Sequence, residues 1–573
     1  MLLIQIAKGW SSMSSLSVQF VSKLFFCGAI LTLVVTVVST IVLLGCSGID
    51  CYMGGLLGLE VHHVPYIQHV PCTYDQANCR CDRNADVCIF NLQIEALQTF
   101  TRYNVEQSTM ERSGVGHVWY FSEDGELKPH PSGTMVCTLP LANNSCTQPI
   151  TVDGATFRSV IAVNGQIPGP TVIVYHNQTV IVDVSNCLHK ETVTIHWHGL
   201  HLFNTPWMDG VQDITQFGIH PQKTFRYIFK ALPSGTFWYH SHTQSQRSNG
   251  LFGALVILER NIKHIRKALS NTKLGRNLVK FLDLPEQHTL TLLDWYRQDT
   301  LELTAQLTSQ LRFYSTHGLD PPGPNIIPEN LVASPDGQEV GNIPFWSGLI
   351  NGRGKHPDIN HPYSKSRLSI FTVEAGNIYR FRLIGAQNVY SFRFSIDEHK
   401  LVVVGTDGYW IQPVEVDYII IHSGERYDFL LKTKSKNSKN DFWIRAETLE
   451  IESSPIDPPP GPAAPYQLIS QHAAEGILHY TVEGLQLPSS LEYQSIKDNS
   501  AAMSETCTKY NPCITLNCPF LWHASYNVSC ITIDKLHLLI PTPENELPST
   551  EPDGEMFFNF ALEGGQHTYT CVS

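Results

Sequence analysis

Between residues 148 and 260 apolar and polar positions alternate in short runs: "FRSVIAVNG", "PTVIVYHN", "TVIVDVSN", "TVTIHWHG", "KTFRYIFKA", "GTFWYHSH" and "GLFGALVILER". A period of two sends successive side chains to opposite faces of a strand. Gly, Pro and Asn separate the runs, so the pattern predicts a sandwich or barrel of short strands. "VCIFNLQIEAL" (87–97) reads as an earlier strand, set apart by a polar insertion at about 104–148. The alternation resumes in "HTLTLLDWY", "FTVEAGNIYRFRLIG", "YSFRFSIDEHKLVVVGTDG", "VDYIIIHSGERYDFLLKT" and "FWIRAE", around a Pro/Gly loop at 318–345. The expected architecture is all-β, with one sandwich over 85–262 and a second over 285–452.

Between them, Lys263, Arg266, Lys267, Lys273, Arg276 and Lys280 mark a solvated connector, expected to be partly helical. "SSPIDPPPGPAAP" (453–465) reads as a stiff, extended segment. Residues 466–573 are expected to hold a linker and the incomplete start of a third domain, with one strand-like run, "MFFNFAL" (556–562).

One stretch breaks the alternation. Residues 24–46, "LFFCGAILTLVVTVVSTIVLLGC", carry no charged side chain. As a helix they would reach roughly 34 Å at 1.5 Å per residue, enough for a hydrocarbon layer of about 30 Å. Lys8 and Lys23 precede the run, and no acid appears before Asp50. The expectation is a cytoplasmic tail (1–23), a single membrane-spanning helix (24–46) and an extracellular or luminal remainder. Secretion after cleavage of a signal peptide is the alternative. Residues 47–84 are expected to form an irregular, cysteine-rich stalk.

Composition narrows the picture further. Net charge is −13 over 573 residues and only 16% are charged, which excludes nucleic acid as a natural partner. Of 15 cysteines, none lies between 188 and 506. Clusters at both ends of a cysteine-free body predict disulfide staples and an oxidising compartment, with zinc held through Cys79 and Cys81 as the rival reading. Asn143, Asn177 and Asn527 open glycosylation sequons.

The chemistry sits in two of the strands. His196 and His198 in "TIHWHGL" share one strand face, and His240 and His242 in "TFWYHSH" repeat the arrangement. Two such strands side by side would aim four imidazoles into one space. An all-nitrogen donor set suits copper, zinc, iron or nickel rather than calcium or magnesium. "HWHGLHLFN" lacks the glutamate that a cupin site uses, and the H-x-H-x-D-H acid of zinc hydrolases is missing.

The segments "VNGQIPGPTVIVYHNQTVIVDVSN", "TIHWHGL", "MDGV", "ITQ", "GTFWYHSH" and "NGLFGALVI" together resemble the first cupredoxin domain of the multicopper oxidases, the laccase and ferroxidase family. "LINGRG", "FSIDEHKLVVVGTDG" and "GERYD" resemble the second domain, and the end cysteines resemble animal laccase-type members. The resemblance implies tandem cupredoxin-like Greek-key sandwiches. It also implies a trinuclear copper cluster that takes electrons from a small reducing substrate and passes them to O2. By that resemblance His196 binds the type 2 copper, while His198, His240 and His242 bind the type 3 pair. Asp209 of "WMDGV" corresponds to a carboxylate that assists proton delivery. His201 lies beyond the motif, as a surface or packing residue. Phe217 stands where relatives have a cysteine, so no disulfide forms there.

The family's other cluster histidines and its type 1 copper site belong to the motifs HPxHxHG and HCHxxxH. After His242 no two histidines form an H-x-H pair, and none of the last five cysteines has a histidine beside it. The expectation is half of a trinuclear site, no type 1 centre, and a chain that is inactive alone because it ends before the catalytic part of a third domain. Two other functions stay open on the sequence: a non-catalytic copper-binding or adhesion ectodomain, and a zinc enzyme built on the two pairs.

Overall fold

Strand-forming alternation organises the described part of the chain. The computed structural model describes residues 64–73, 76–105, 112–121, 127–130, 149–155, 157–278, 287–300, 345–355, 367–435, 440–449, 472–481, 507–518, 528–541, 561–565 and 568–572. The chain divides into Met1–Pro65 and Tyr66–Ser573, and the second unit holds two β-sandwiches.

The first sandwich uses β1 (Ile67–His69), β2 (Asn78–Arg80), β3 (Val87–Gln98), β7 (Ser159–Val163), β8 (Gly169–Tyr175), β9 (Thr179–Asn186), β10 (Ile195–His198), β11 (Thr224–Lys230), β12 (Gly235–Ser241) and β13 (Phe252–Leu258). One sheet has the order β1-β3-β9-β11 with β7 on β3, and the other β10-β12-β13-β8-β2. The run "TVIVDVSN" became β9, with Val180, Val182 and Val184 inward and the residues between them half-buried. These valines pack against Val172, Val174, Trp197, Phe237, Tyr239 and Leu255 of the facing sheet. Each fully buried aliphatic side chain is worth about 1.5–3 kcal/mol relative to exposure.

The expected stalk and the zinc reading are corrected. The region expected as an irregular stalk (47–84) supplies two of its strands: β1 pairs in parallel with β3, and β2 with β8. Disulfides Cys72–Cys79 and Cys81–Cys88 staple that segment to the sheets. Cys79 and Cys81 are therefore each committed to a disulfide, with Cys72 and Cys88 respectively, which removes the zinc reading. The insertion expected as polar carries a three-stranded sheet of β4 (Thr101–Val105), β5 (Arg112–Phe121) and β6 (Leu127–Pro129).

The connector forms α1 (Lys263–Ser270), which buries Ile265 and Leu269 against Leu539 and leaves its lysines outward. The second sandwich comes next along the chain. It contains β14 (Gln287–Trp295), β15 (Ser347–Ile350), β16 (Arg353–Lys355), β17 (Ser369–Val373), β18 (Ile378–Gly385), β19 (Phe392–Ile396) and β20 (Leu401–Thr406). To these it adds β21 (Tyr409–Val416), β22 (Tyr418–Ile421), β23 (Arg426–Lys432), β24 (Asp441–Thr448), β25 (Ala473–Tyr480), β26 (Cys513–Leu516) and β27 (Val528–Ile531). The sheet orders are β16-β15-β14-β18-β23-β20-β21 and β17-β25-β24-β19-β22-β26-β27.

Residues expected to begin a third domain thus belong to the second. β25 pairs with β24 and β17, and β26 extends the same sheet beside β22. Disulfides Cys507–Cys513 and Cys518–Cys530 brace that added edge. A hairpin of β28 (Ala561–Gly565) and β29 (Thr568–Val572) lies near the end.

The two sandwiches share an apolar seam. Trp238, Phe252 and Ala254 from the first meet Leu293, Trp295, Leu349 and Ile384 from the second. Among the described residues no helix is long and apolar enough to cross a membrane. Residues 24–46, Asn143, Asn527 and the proline-rich 453–465 lie outside the described residues. Asn177 is exposed in the turn between β8 and β9.

Candidate metal centre

Edge strand β10 pairs antiparallel with β12, and the register puts His196 directly opposite His240 and His198 opposite Trp238. Alternation sends Ile195 and Trp197 into the core and turns both β10 histidines to the other face. On β12, Phe237 and Tyr239 likewise enter the core. His242 follows the last residue of β12 and is exposed.

The four rings converge. Centroids lie 5.4 Å apart for His196 and His198, 5.3 Å for His196 and His240, and 5.4 Å for His196 and His242. His198 and His240 are 5.5 Å apart, and His240 and His242 5.9 Å. Among the described residues, His196, His198 and His240 are the group able to hold one ion, with one ligand atom from each lying within 4.8 Å of the others.

Backbone carbonyls set the tautomers. His196 Nδ1 donates to the Asp209 carbonyl at 2.8 Å, and His240 Nδ1 to the Ser241 carbonyl at 2.9 Å. Each ring therefore keeps its lone pair on Nε2. His198 presents Nδ1 instead, 3.2 Å from His240 Nε2. Burial lowers the basicity of His196, with the Asp209 carbonyl and carboxylate opposing it. Burial, followed by the nearby Arg426 cation, pushes His198 down to about 3. His240 is held well below the ordinary histidine value by burial and then by Arg247. These three rings are neutral at physiological pH, the state in which imidazole binds a metal.

Asp209 reaches the cluster in two ways. Besides its carbonyl, its carboxylate lies 3.3 Å from His196 Nδ1 and is 32% exposed. Gly210 permits this turn. Its φ is +80°, and a Cβ there would fall 1.8 Å from the Ile195 carbonyl oxygen.

Three supporting contacts were not singled out by sequence reasoning. Trp238 stacks on His240 at 4.1 Å and lies 5.1 Å from His198. Period-two spacing from His240 could have found it. Gly424, in the turn between β22 and β23, has φ +88°, and a Cβ there would sit 2.8 Å from His198 Cε1. Arg426 donates to the Thr236 carbonyl at 3.1 Å, binding β23 to β12. Nothing local in the sequence marks Gly424 as touching a histidine more than two hundred residues earlier. His201 points elsewhere, 3.0 Å from the Tyr409 hydroxyl, and Phe217 is exposed.

Four imidazoles gathered on the paired edge of one β-sandwich and buttressed by a second form a donor set of the kind that suits a transition metal. Two family models, both described as multicopper oxidase, match residues 145–262 and 286–463. The chain belongs to the multicopper oxidase family. It is 33% identical over 292 residues to an L-ascorbate oxidase of Nicotiana tabacum, covering 50% of this chain and 44% of that protein. To a laccase of Trametes maxima it is 31% identical over 313 residues, covering 54% and 52%. The chain spans about half the length of these relatives. Among solved structures, Fet3p, a multicopper oxidase that functions in iron import, shares 21% identity at a TM-score of 0.44, covering 70% of this chain and 54% of that one. A laccase from Botrytis aclada shares 22% at 0.43, with the same coverage.

Proposed function

We propose that these residues build one half of the trinuclear copper site of a laccase-like oxidase. His196 serves the type 2 ion, and His198, His240 and His242 the type 3 pair. The observation that supports this most is the register that sets His196 against His240, with all four rings about one space. The donor set fits copper: neutral imidazoles, two with Nδ1 committed to a carbonyl and one offering Nδ1. When bound, copper supplies one-electron redox chemistry and the reduction of O2 to water.

The chain's own groups hold and supply protons. The Asp209 carbonyl keeps a proton on His196 Nδ1, so that ring cannot turn to offer the other nitrogen. The half-exposed Asp209 carboxylate stands between solvent and the cluster, placed to pass protons inward. The reducing substrate of the complete site is a phenol, an aromatic amine or a metal ion. The remaining cluster ligands and the type 1 site have no candidates in these 573 residues, so the chain by itself binds copper without sustained turnover. We further propose that residues 24–46 anchor it with the sandwiches outside the cytoplasm, which the disulfides among the described residues favour.

Copper titration of the purified 573-residue chain, followed by metal analysis and electron paramagnetic resonance, tests the site. Copper is expected to bind without intense blue absorption, and the double variant His196→Ala/His240→Ala to lose it. Preferential zinc retention, or equal copper uptake by the double variant, would overturn the assignment. Steady oxidation of a phenol by the copper-loaded chain would overturn the half-site reading alone.

A further inference from the structure

Where the first sandwich, the connector and the second sandwich meet there is a cleft of about 880 Å³. Arg80, Arg83, Arg260, Lys263, Arg380 and Arg382 line it, and Glu259 is its one acidic lining residue. They come from separate elements: β2 and the loop after it, the chain between β13 and α1, the start of α1, and β18. Arg380 and Arg382 are compensated by the buried Asp428. The others have no carboxylate partner among the described residues. Arg83 donates to the Arg260 carbonyl, Arg260 to the Ala85 carbonyl at 3.0 Å, and Arg80 to the Tyr175 hydroxyl. Glu259 accepts from the Ser234 hydroxyl. The Nε–H groups of Arg260 and Arg380 are buried without an acceptor.

This concentration of positive charge occurs in a chain whose net charge is −13. Like charges around a shared, partly desolvated space repel strongly, and burial together with Arg380 pushes the Arg382 guanidinium down to about 9. The arrangement costs stability unless an anion enters. Guanidinium forks match the planar oxygen edges of phosphate and sulfate, and bind them with two parallel hydrogen bonds. The site also stands apart from the imidazoles. Gly235 lines the cleft, and His240 lies five residues further along β12, roughly 16 Å away at strand rise.

We propose that this cleft binds a small, multiply charged oxyanion, an organic phosphate or sulfate with at least two anionic groups, held by Arg80, Arg83, Arg260 and Lys263. Two groups are needed because the uncompensated cations sit on different elements around the opening. A bound anion of this kind would tie the first sandwich to the connector, away from the copper ligands. A cleft of this size between the two sandwiches and the connector suits a compact ligand rather than an extended nucleic acid strand.

Isothermal titration calorimetry of the 573-residue chain tests this, with glucose 1,6-bisphosphate and sucrose octasulfate as separate probes against sodium chloride of equal ionic strength. Saturable binding of the bisphosphate identifies a phosphate site, and of the octasulfate a sulfate site. Arg83 and Lys263 are exposed, so Arg83→Glu/Lys263→Glu should fold, take up copper as the unaltered chain does, and weaken the bound probe by about tenfold or more. Arg80→Gln provides a second, milder variant with a smaller loss in the same direction. Absence of binding by both probes above the salt control, or unchanged affinity in the variants, would overturn the proposal.

Discussion

The two sandwiches place different chemistry on the strands that face one another. On β10 and β12 of the first, His196, His198 and His240 are neutral rings gathered about a common space. On β18 and β23 of the second, the inward polar residues are Arg380, Arg382 and Asp428, the one carboxylate bonding both guanidiniums. Thr236, at the start of β12, joins the two systems by bonding both Asp428 and Arg382. One sandwich keeps imidazole lone pairs for a metal, and the other ties its polar groups to one another through Asp428 and Thr236. The second therefore acts as a buttress, and its turn at Gly424 presses on the ring of His198.

The largest effect should come from breaking that buttress. Asp428 is 5% exposed, and although burial works against its ionisation, Arg380 and Arg382 outweigh it and hold the carboxyl below the usual range. Asp428→Ala leaves two buried guanidiniums without a counter-ion, a loss of about 3–5 kcal/mol for a broken buried pair. Urea denaturation should show the midpoint fall accordingly. An unchanged midpoint would mean that the network contributes nothing to holding the second sandwich.

Acid should act next, and one buried histidine of the second sandwich carries part of its effect. His399 in the second is 3% exposed; its Nδ1 donates to the Asp397 carbonyl, and its Nε2 accepts from the Tyr480 hydroxyl, both at 2.7 Å. Burial, which outweighs that carbonyl bond, pushes the ring down to about 4. The folded state refuses a proton that the unfolded chain accepts near pH 6.5. Stability is thus highest above about pH 6.5, falls as the pH drops from there to about 4, and levels off below. The total is about 3 kcal/mol from this residue. His399→Gln should reduce that slope by its own share in denaturation curves taken between these pH values. The remainder belongs to the other histidines whose basicity burial lowers, His196, His198, His240 and His288, and an unchanged slope would assign all of it elsewhere.

This contrast also shows what the sequence could reveal. Each H-x-H pair was legible because period two is a local property: His196 and His198 must share a face wherever the strand goes. Their union with His240 and His242 is a cross-strand register across more than forty residues, and no local pattern encodes it. The resemblance to multicopper oxidases supplied it instead. Strands β1 and β2, three residues each, are too short to show alternation, so their segment read as a stalk. β25 comes after a proline-rich stretch that reads as a boundary, and its place in the second sandwich depends on pairing with β17, about a hundred residues earlier. Gly424 opens the "GERYD" run, but nothing in that run shows its contact, since its importance is the width of a gap beside another domain's ring.

Gly424→Ala sharpens the comparison at that gap. A Cβ at φ +88° is strained by about 1–3 kcal/mol, and it must displace the His198 ring. Copper affinity should fall by about 10–100-fold, as when a contact that orients a ligand is lost. Retained affinity would show that the second sandwich does not position the first one's ligands.

The smallest expected effect separates the two roles of Asp209. Its carbonyl orients His196, and substitution of the side chain leaves that carbonyl in place. Asp209→Asn should accordingly keep copper affinity within about twofold, because the tautomer of His196 is fixed by the backbone bond. Gly210→Ala, which drives a Cβ into the Ile195 carbonyl, should move the Asp209 carbonyl and lower affinity far more. If Asp209→Asn were the more damaging of the two, the carboxylate rather than the carbonyl would be what holds the imidazole in place. Its proposed part in proton transfer would then have to be measured separately from ligand orientation.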